Sequence, residues 1–112
     1  MAITNEAILS YTFLAEMADD PYFPAPLVRK GQQLLLDTCA TIETTQPKTL
    51  PALYAITHNT TERFNELDVE LNENDSEIET VARENIAEDM DFIARAYGFD
   101  ADVEELIAPR DW

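Results

Sequence analysis

From Ser76 to Gly98 the sequence carries a helix start, a long apolar period and a helix stop, and no other stretch constrains the fold as much. Ser76, with Glu79 three residues on, has the form of a capping box, in which two side chains satisfy free main-chain N–H groups reciprocally. Ile78, Val81, Ala82, Ile86, Phe92, Ile93 and Ala96 then recur at three and four, the spacing of one helical face. Gly98 can take the left-handed conformation that ends such a helix. A helix over about 77–97 is therefore predicted, with Glu79–Arg83 and Asp91–Arg95 as outward pairs four apart. The same period recurs elsewhere, and only two glycines, Gly31 and Gly98, offer sites for tight hairpins. The class reads as all-α.

In chain order, a first helix is expected over about 5–17, capped by Thr4 or Asn5, with Ile8, Leu9, Phe13, Leu14 and Met17 inward. Pro21 and Pro24 stiffen a connector whose Tyr22 and Phe23 should cover the open end of the core. A second helix runs from near Pro26 to about Glu43 and holds Cys39, a lone cysteine read as a small buried hydrophobe. A third has Thr49 as cap, Pro51 in its first turn and its end near Asn72. After the fourth, Asp100 caps a short fifth helix through about Ile107, and Trp112 closes over an edge of the core. The expectation is one domain over residues 1–112, an antiparallel bundle of four main helices plus a short C-terminal one.

Charge narrows the function. The formal net charge of the 112 residues is -16: residues 1–61 hold six acids and three bases, residues 62–112 seventeen acids and four bases. Such a field repels phosphate backbones and anionic lipid and draws in cations, so neither nucleic acid nor membrane is an expected partner. No apolar run approaches the roughly 18 to 20 residues of a membrane span, and Glu6 stands where a signal peptide would carry a base, so a cytoplasmic setting is expected.

A site is sought where polar groups interrupt an apolar stripe. The short turn between the third and fourth helices should make them antiparallel, setting opposite one another residues whose numbers sum to about 150. Thr61 would then lie near Asp89, and Asn65 near Asn85, with Thr57 and His58 one turn away. One reading is a catalytic seam in which Asp89 orients His58. The other is a buried hydrogen-bonded network that fixes the register of the hairpin, and it is favoured because the seam has one histidine, no nucleophile and no phosphate-cradling glycines. No metal or cofactor is expected. Glu84 and Glu88 are four apart, but no Glu-x-x-His accompanies them. Residues 68–79 imitate a calcium loop only at its ends, with Glu73 where glycine is needed and Asp75 where an apolar residue is usual. The acidic surface is the better candidate: Glu66, Glu70, Glu73, Glu84, Glu88, Asp102, Glu104 and Glu105 are expected to dock on a basic partner protein.

The runs Asp20–Pro24, Asn74–Glu84 and Tyr97–Trp112 are similar to those of a family of small acidic bacterial proteins classed as a domain of unknown function. That resemblance implies a single all-helical domain and gives no activity. Size, acidity and helical build also resemble immunity proteins that neutralise basic toxins, often nucleases, which makes a toxin inhibitor the sharper expectation. A small enzyme using the His58/Asp89 seam and a passive structural or regulatory subunit are the alternatives.

Overall fold

In the computed structural model, which describes residues 3–112, the chain runs α1 (Glu6–Leu9), α2 (Ala15–Ala18), α3 (Ala25–Thr45), α4 (Leu50–Asn72), α5 (Thr80–Ala96) and α6 (Val103–Leu106). The described residues are all-helical with no strand: three long helices and three single turns. Pro24 and Pro26 start α3, and Gln46, left-handed at φ 50°, ends it with its N–H on the Ile42 carbonyl. Thr49 caps α4 by accepting the Ala52 N–H, with Pro51 in the first turn as expected. Lys30 meets Glu70 at one end of this pair and Thr38 meets Thr60 near its middle, so α3 and α4 lie antiparallel. Val28, Leu35, Cys39 and Ile42 from α3 and Leu53, Phe64, Leu67 and Leu71 from α4 turn into the core.

The expected first helix is broken. Asn5 caps α1 as predicted, accepting from the Ala7 and Ile8 N–H groups, but regular structure stops at Leu9 and resumes only at Ala15. Between them Leu14 adopts φ 53°, a left-handed conformation that is unfavourable for a branched side chain. Leu14 is nonetheless fully buried, because it inserts over Gly31 of α3, where a Cβ would stand 2.8 Å from its Cδ1. Phe13, Met17 and Phe23 are buried around it, while Tyr22 stays 40% exposed, so only one of the two connector aromatics covers the core.

The junction of α4 and α5 also departs from expectation. Asp75 takes a positive φ of 60°, the role glycine usually fills, and the Ser76 N–H returns to the Leu71 carbonyl. That closure turns Ser76 inward with its hydroxyl unbonded, so no capping box forms. Instead Asp68 of α4 accepts the Ile78 N–H, α5 starts at Thr80, and Val81 is 44% exposed rather than inward. Asp91–Arg95 forms, whereas Glu79 meets Arg83 through its main-chain carbonyl. The stop at Gly98 is as predicted: φ is 84°, and the Phe99 N–H reaches the Ala94 carbonyl.

Beyond their turn α4 and α5 part. The close neighbours of α4 are α3 and α6, and those of α5 are α1, α2, α3 and α6, so the C-terminal segment fills the seam where a direct α4–α5 hairpin was expected. Asp102, not Asp100, caps α6 by accepting the Glu104 N–H. Leu106, Ile107 and Trp112 are buried, and the indole meets Phe64 edge-to-face with ring centroids 6.5 Å apart. No helix among the described residues is long and apolar enough to cross a membrane.

Gly31→Ala tests the insertion of Leu14. Alanine favours an isolated helix by up to about 1 kcal/mol, yet the new methyl would press Leu14 against Phe64 and Leu67, each 3.3 Å from the same point. A net loss of about 1 kcal/mol in urea unfolding is expected; a gain would show that Leu14 has room to move.

Candidate functional site

Asp89 is the buried carboxylate among the described residues, and both its oxygens are used. Oδ2 accepts the Leu14 N–H at 2.7 Å and Oδ1 accepts the Tyr11 hydroxyl at 2.6 Å. One turn earlier on α5, Asn85 Oδ1 accepts the Met17 N–H at 3.1 Å, and from α3 the Gln32 amide donates to the Phe13 carbonyl at 2.8 Å. Side chains thus meet main-chain groups that the break between α1 and α2 leaves without helical partners. Tyr11 stacks on Phe92, centroids 3.9 Å apart. Burial pushes the Asp89 carboxyl above the usual carboxylate range, opposed by the bonds from Tyr11 and Leu14. Asp89 and Asn85 are buried and hydrogen-bonded as expected, but their partners are Tyr11, Leu14 and Met17 rather than Thr61 and Asn65, so they secure the N-terminal segment and not an α4–α5 register.

His58 lies elsewhere. Its Nε2 is 2.7 Å from the Glu105 carbonyl, and its ring stacks on Tyr54. The Tyr54 hydroxyl accepts the Asp102 N–H, Thr61 donates to the Leu106 carbonyl, and Asn65 both donates to the Pro109 carbonyl and accepts the Asp111 N–H. Tyr54, His58, Thr61 and Asn65 form one stripe of α4 at helical spacing, and their partners rise in number alongside them. The stripe straps the C-terminal segment parallel to α4. His58 and Asp89 therefore do not pair, Thr61 does not meet Asp89, and Asn65 does not meet Asn85. The catalytic seam is not assembled, because α6 stands where the two helices were expected to touch.

A third polar centre had no signal in the sequence. Glu43, near the end of α3, accepts the Thr4 N–H and hydroxyl, the Asn5 N–H and the Tyr97 hydroxyl, the last at 2.6 Å, while the Asn5 amide donates to the Ala96 carbonyl. The Tyr97 bond, ahead of those from Thr4 and Asn5, holds the Glu43 carboxyl down to about 2. A cleft of about 630 Å³ opens beside it, but these donors already occupy the carboxylate. Cys39 lies fully buried near Tyr97, and burial pushes its thiol up to about 12, which makes it a packing group rather than a nucleophile.

The eight acidic residues proposed for partner contact divide. Glu66 pairs with Arg63 at 2.8 Å, Glu70 with Lys30 at 2.7 Å and Glu104 with Arg110 at 3.4 Å, while Asp102 serves as a cap and Glu73 ends α4. Glu105 is exposed, with its carbonyl on His58. Glu84 and Glu88 line a shallow groove of about 210 Å³ with Asp91, over a floor of Ala87 and Val103. Asp91, taken from the sequence only as an outward partner of Arg95, is the addition. Among the described residues no three of His, Cys, Asp and Glu are grouped to hold a metal ion.

A model of DUF5713, a family of unknown function, matches residues 7–112. The chain belongs to this family. No curated protein and no solved structure matches it. The match spans both ends of the fold just described, from the α1 turn to Trp112, so the N-terminal latch on Asp89 and the C-terminal strap on α4 lie inside the family's unit.

Substitutions at two positions separate these networks from packing alone. Asp89→Asn keeps an acceptor for Leu14 if Tyr11 turns its hydroxyl to accept from the new amide, so a loss of about 1 kcal/mol is expected; Asp89→Leu strands both donors and should lose about 3 kcal/mol. Equal urea midpoints for wild type and the Leu variant would remove Asp89 from the forces that hold the fold. For Glu43 the folded carboxyl is depressed from 4.5 to about 2, so its stabilisation is whole above pH 4.5 and is lost as pH falls toward 2. Glu43→Gln should be about 1 kcal/mol less stable at neutral pH, a small figure because water screens the site. The gap should close on acidification, and a gap that persists at the lowest pH would show that the anchor does not need the ionised carboxylate.

Proposed function

We propose that this protein is a cytoplasmic, stoichiometric binder of a basic partner protein, with the α5–α6 groove as the anchor point. One observation carries the reading: Glu84, Glu88 and Asp91 rim a small concavity whose floor is the apolar Ala87 and Val103. A lysine or arginine side chain has the same two-part character, an aliphatic stem and a cationic head. Among the described residues Asp91 alone of these rim acids has an ion-pair partner, so Glu84 and Glu88 hold their charge for an incoming cation. Glu73, Asp102 and Glu105 add to the field around the groove, and Glu66, Glu70 and Glu104, each already paired, contribute less. The net charge of -16 then serves association, since long-range attraction raises the encounter rate and falls with salt.

In its narrower form the partner is a toxin whose basic cleft the groove blocks by occupying the path of a phosphate chain, which makes the protein an immunity-type inhibitor. An enzymatic reading has no such support, since His58 and Asp89 are engaged in separate networks.

The test compares wild type with Glu84→Gln/Glu88→Gln/Asp91→Asn as baits in a lysate of the source cell at low and high salt. Wild type is expected to retain a basic protein at low salt and release it at high salt, with the triple variant binding at least about tenfold more weakly. No basic protein retained by the folded bait would favour a passive structural subunit, and equal retention by the variant would move the interface off the groove.

A further inference from the structure

The outer side of the α3–α4 hairpin differs from the rest of the surface in its charge. Thr41 and Asn59, each two residues from a group that meets the remainder of the fold, Glu43 and Thr61, point about half a turn away from it. A groove of about 390 Å³ runs there between the helices, lined by Leu34, Thr41, Ala55 and Ile56 and flanked by Asp37 and Arg63. In a chain of net charge -16, Asp37 and Arg63 line the groove, Arg63 pairs with Glu66, and Lys30 pairs with Glu70 further along the same two helices, so acids on this side have basic partners.

The signs are also arranged across the groove. Lys30 on α3 faces Glu70 on α4 at one level, as their 2.7 Å contact shows. The contact of Thr38 with Thr60 sets the level at mid-helix, and there Asp37 on α3 stands across from Arg63 on α4. A two-fold axis along the groove lays α3 of one copy on α4 of the other at unchanged level. Lys30 then meets Glu70 of the second copy, Asp37 meets Arg63 of the second copy, and both contacts occur twice. Arg63 has donors for this, since Asn59 and Glu66 engage its two terminal nitrogens by one bond each and a guanidinium carries five N–H groups. Among the described residues the Asp37 carboxylate is engaged at Oδ1 alone, by Gln33.

We propose that the outer face of the α3–α4 hairpin is the contact surface for a second copy of this chain, the two hairpins closing into a four-helix layer with Asp37 and Arg63 paired across it. A pairing of like faces anywhere on the α5–α6 side would oppose two strongly negative surfaces, whereas this face is self-complementary. The proposal is independent of the basic partner, because the α5–α6 groove and the hairpin groove share no lining residue.

Sedimentation equilibrium of the full chain at micromolar concentration tests it. A dimer is expected for wild type. Thr41→Glu/Ala55→Glu, two exposed positions on the face, should give a folded monomer by circular dichroism. Asp37→Arg and Arg63→Asp should each weaken the dimer about tenfold, and the double exchange should restore it. A monomeric wild type overturns the proposal, as does a dimer that survives the Thr41/Ala55 variant. Failure of the double exchange to restore a dimer weakened by both single changes overturns the pairing.

Discussion

Two acceptor oxygens on one buried carboxylate hold the fold's least regular part in place. Without Asp89, the buried Leu14 N–H would have nothing to bond, at a cost of about 1–3 kcal/mol against folding, and the half-buried Tyr11 hydroxyl would lose its partner. With it, the chain can leave helical geometry after Leu9, turn left-handed at Leu14 and bring that side chain down onto Gly31. The absence of a side chain at Gly31 and the acceptor on Asp89 are complementary halves of one device. Space alone would not overcome the backbone cost at Leu14, and an acceptor alone would have no pocket beneath it.

This coupling explains how far the sequence could be read. Local signals worked where the deciding forces were local: Asn5 and Thr49 cap, Pro26 and Pro51 open helices, Gly98 closes one, and the apolar period marks α3, α4 and most of α5. They misled where a distant group outbid them. Residues 5–17 have helical spacing, yet Asp89 and Asn85 offer better partners than another helical turn would. Ser76 and Glu79 spell a cap, yet the closure of α4 on Asp75 uses the Ser76 N–H first. The burial of Asp89 was legible from its place in an apolar stripe; its partners were not, since nothing in the sequence says that α6 fills the α4–α5 seam. Glu43 gave no signal at all, being one carboxylate among many until Tyr97 and the chain from Thr4 close on it.

Charge is distributed by role as well as by amount. Glu43 and Asp89 use theirs in the fold, Glu70 and Glu66 on α4 are balanced by Lys30 and Arg63, and the largest surplus, nine acids against three bases, lies over residues 80–112, with four further unbalanced acids over 73–79. A net charge of -16 on one domain strains the folded state by self-repulsion, and the internal pairs on the hairpin relieve that strain where the two longest helices meet. The acidic side is left uncompensated, which is the form a surface takes when its counter-charge comes from another molecule.

The hydrogen bonds at the two chain ends span very different lengths of sequence. Tyr11 and Leu14 reach Asp89 across 78 and 75 residues, the Asn5 amide reaches Ala96 across 91, and the strap on α4 closes loops of 44 to 48. The α3–α4 hairpin, by contrast, needs only its short connector and brings Thr38 to Thr60 across 22. Loop-closure entropy falls hardest on the longest of these, so the hairpin can assemble as a local unit while both termini wait for a scaffold to close upon. The order of assembly is therefore written into the topology: helices from the middle of the chain first, then the tail laid along α4, and last the N-terminal plug, whose Asp89 latch exists only once α5 is in place.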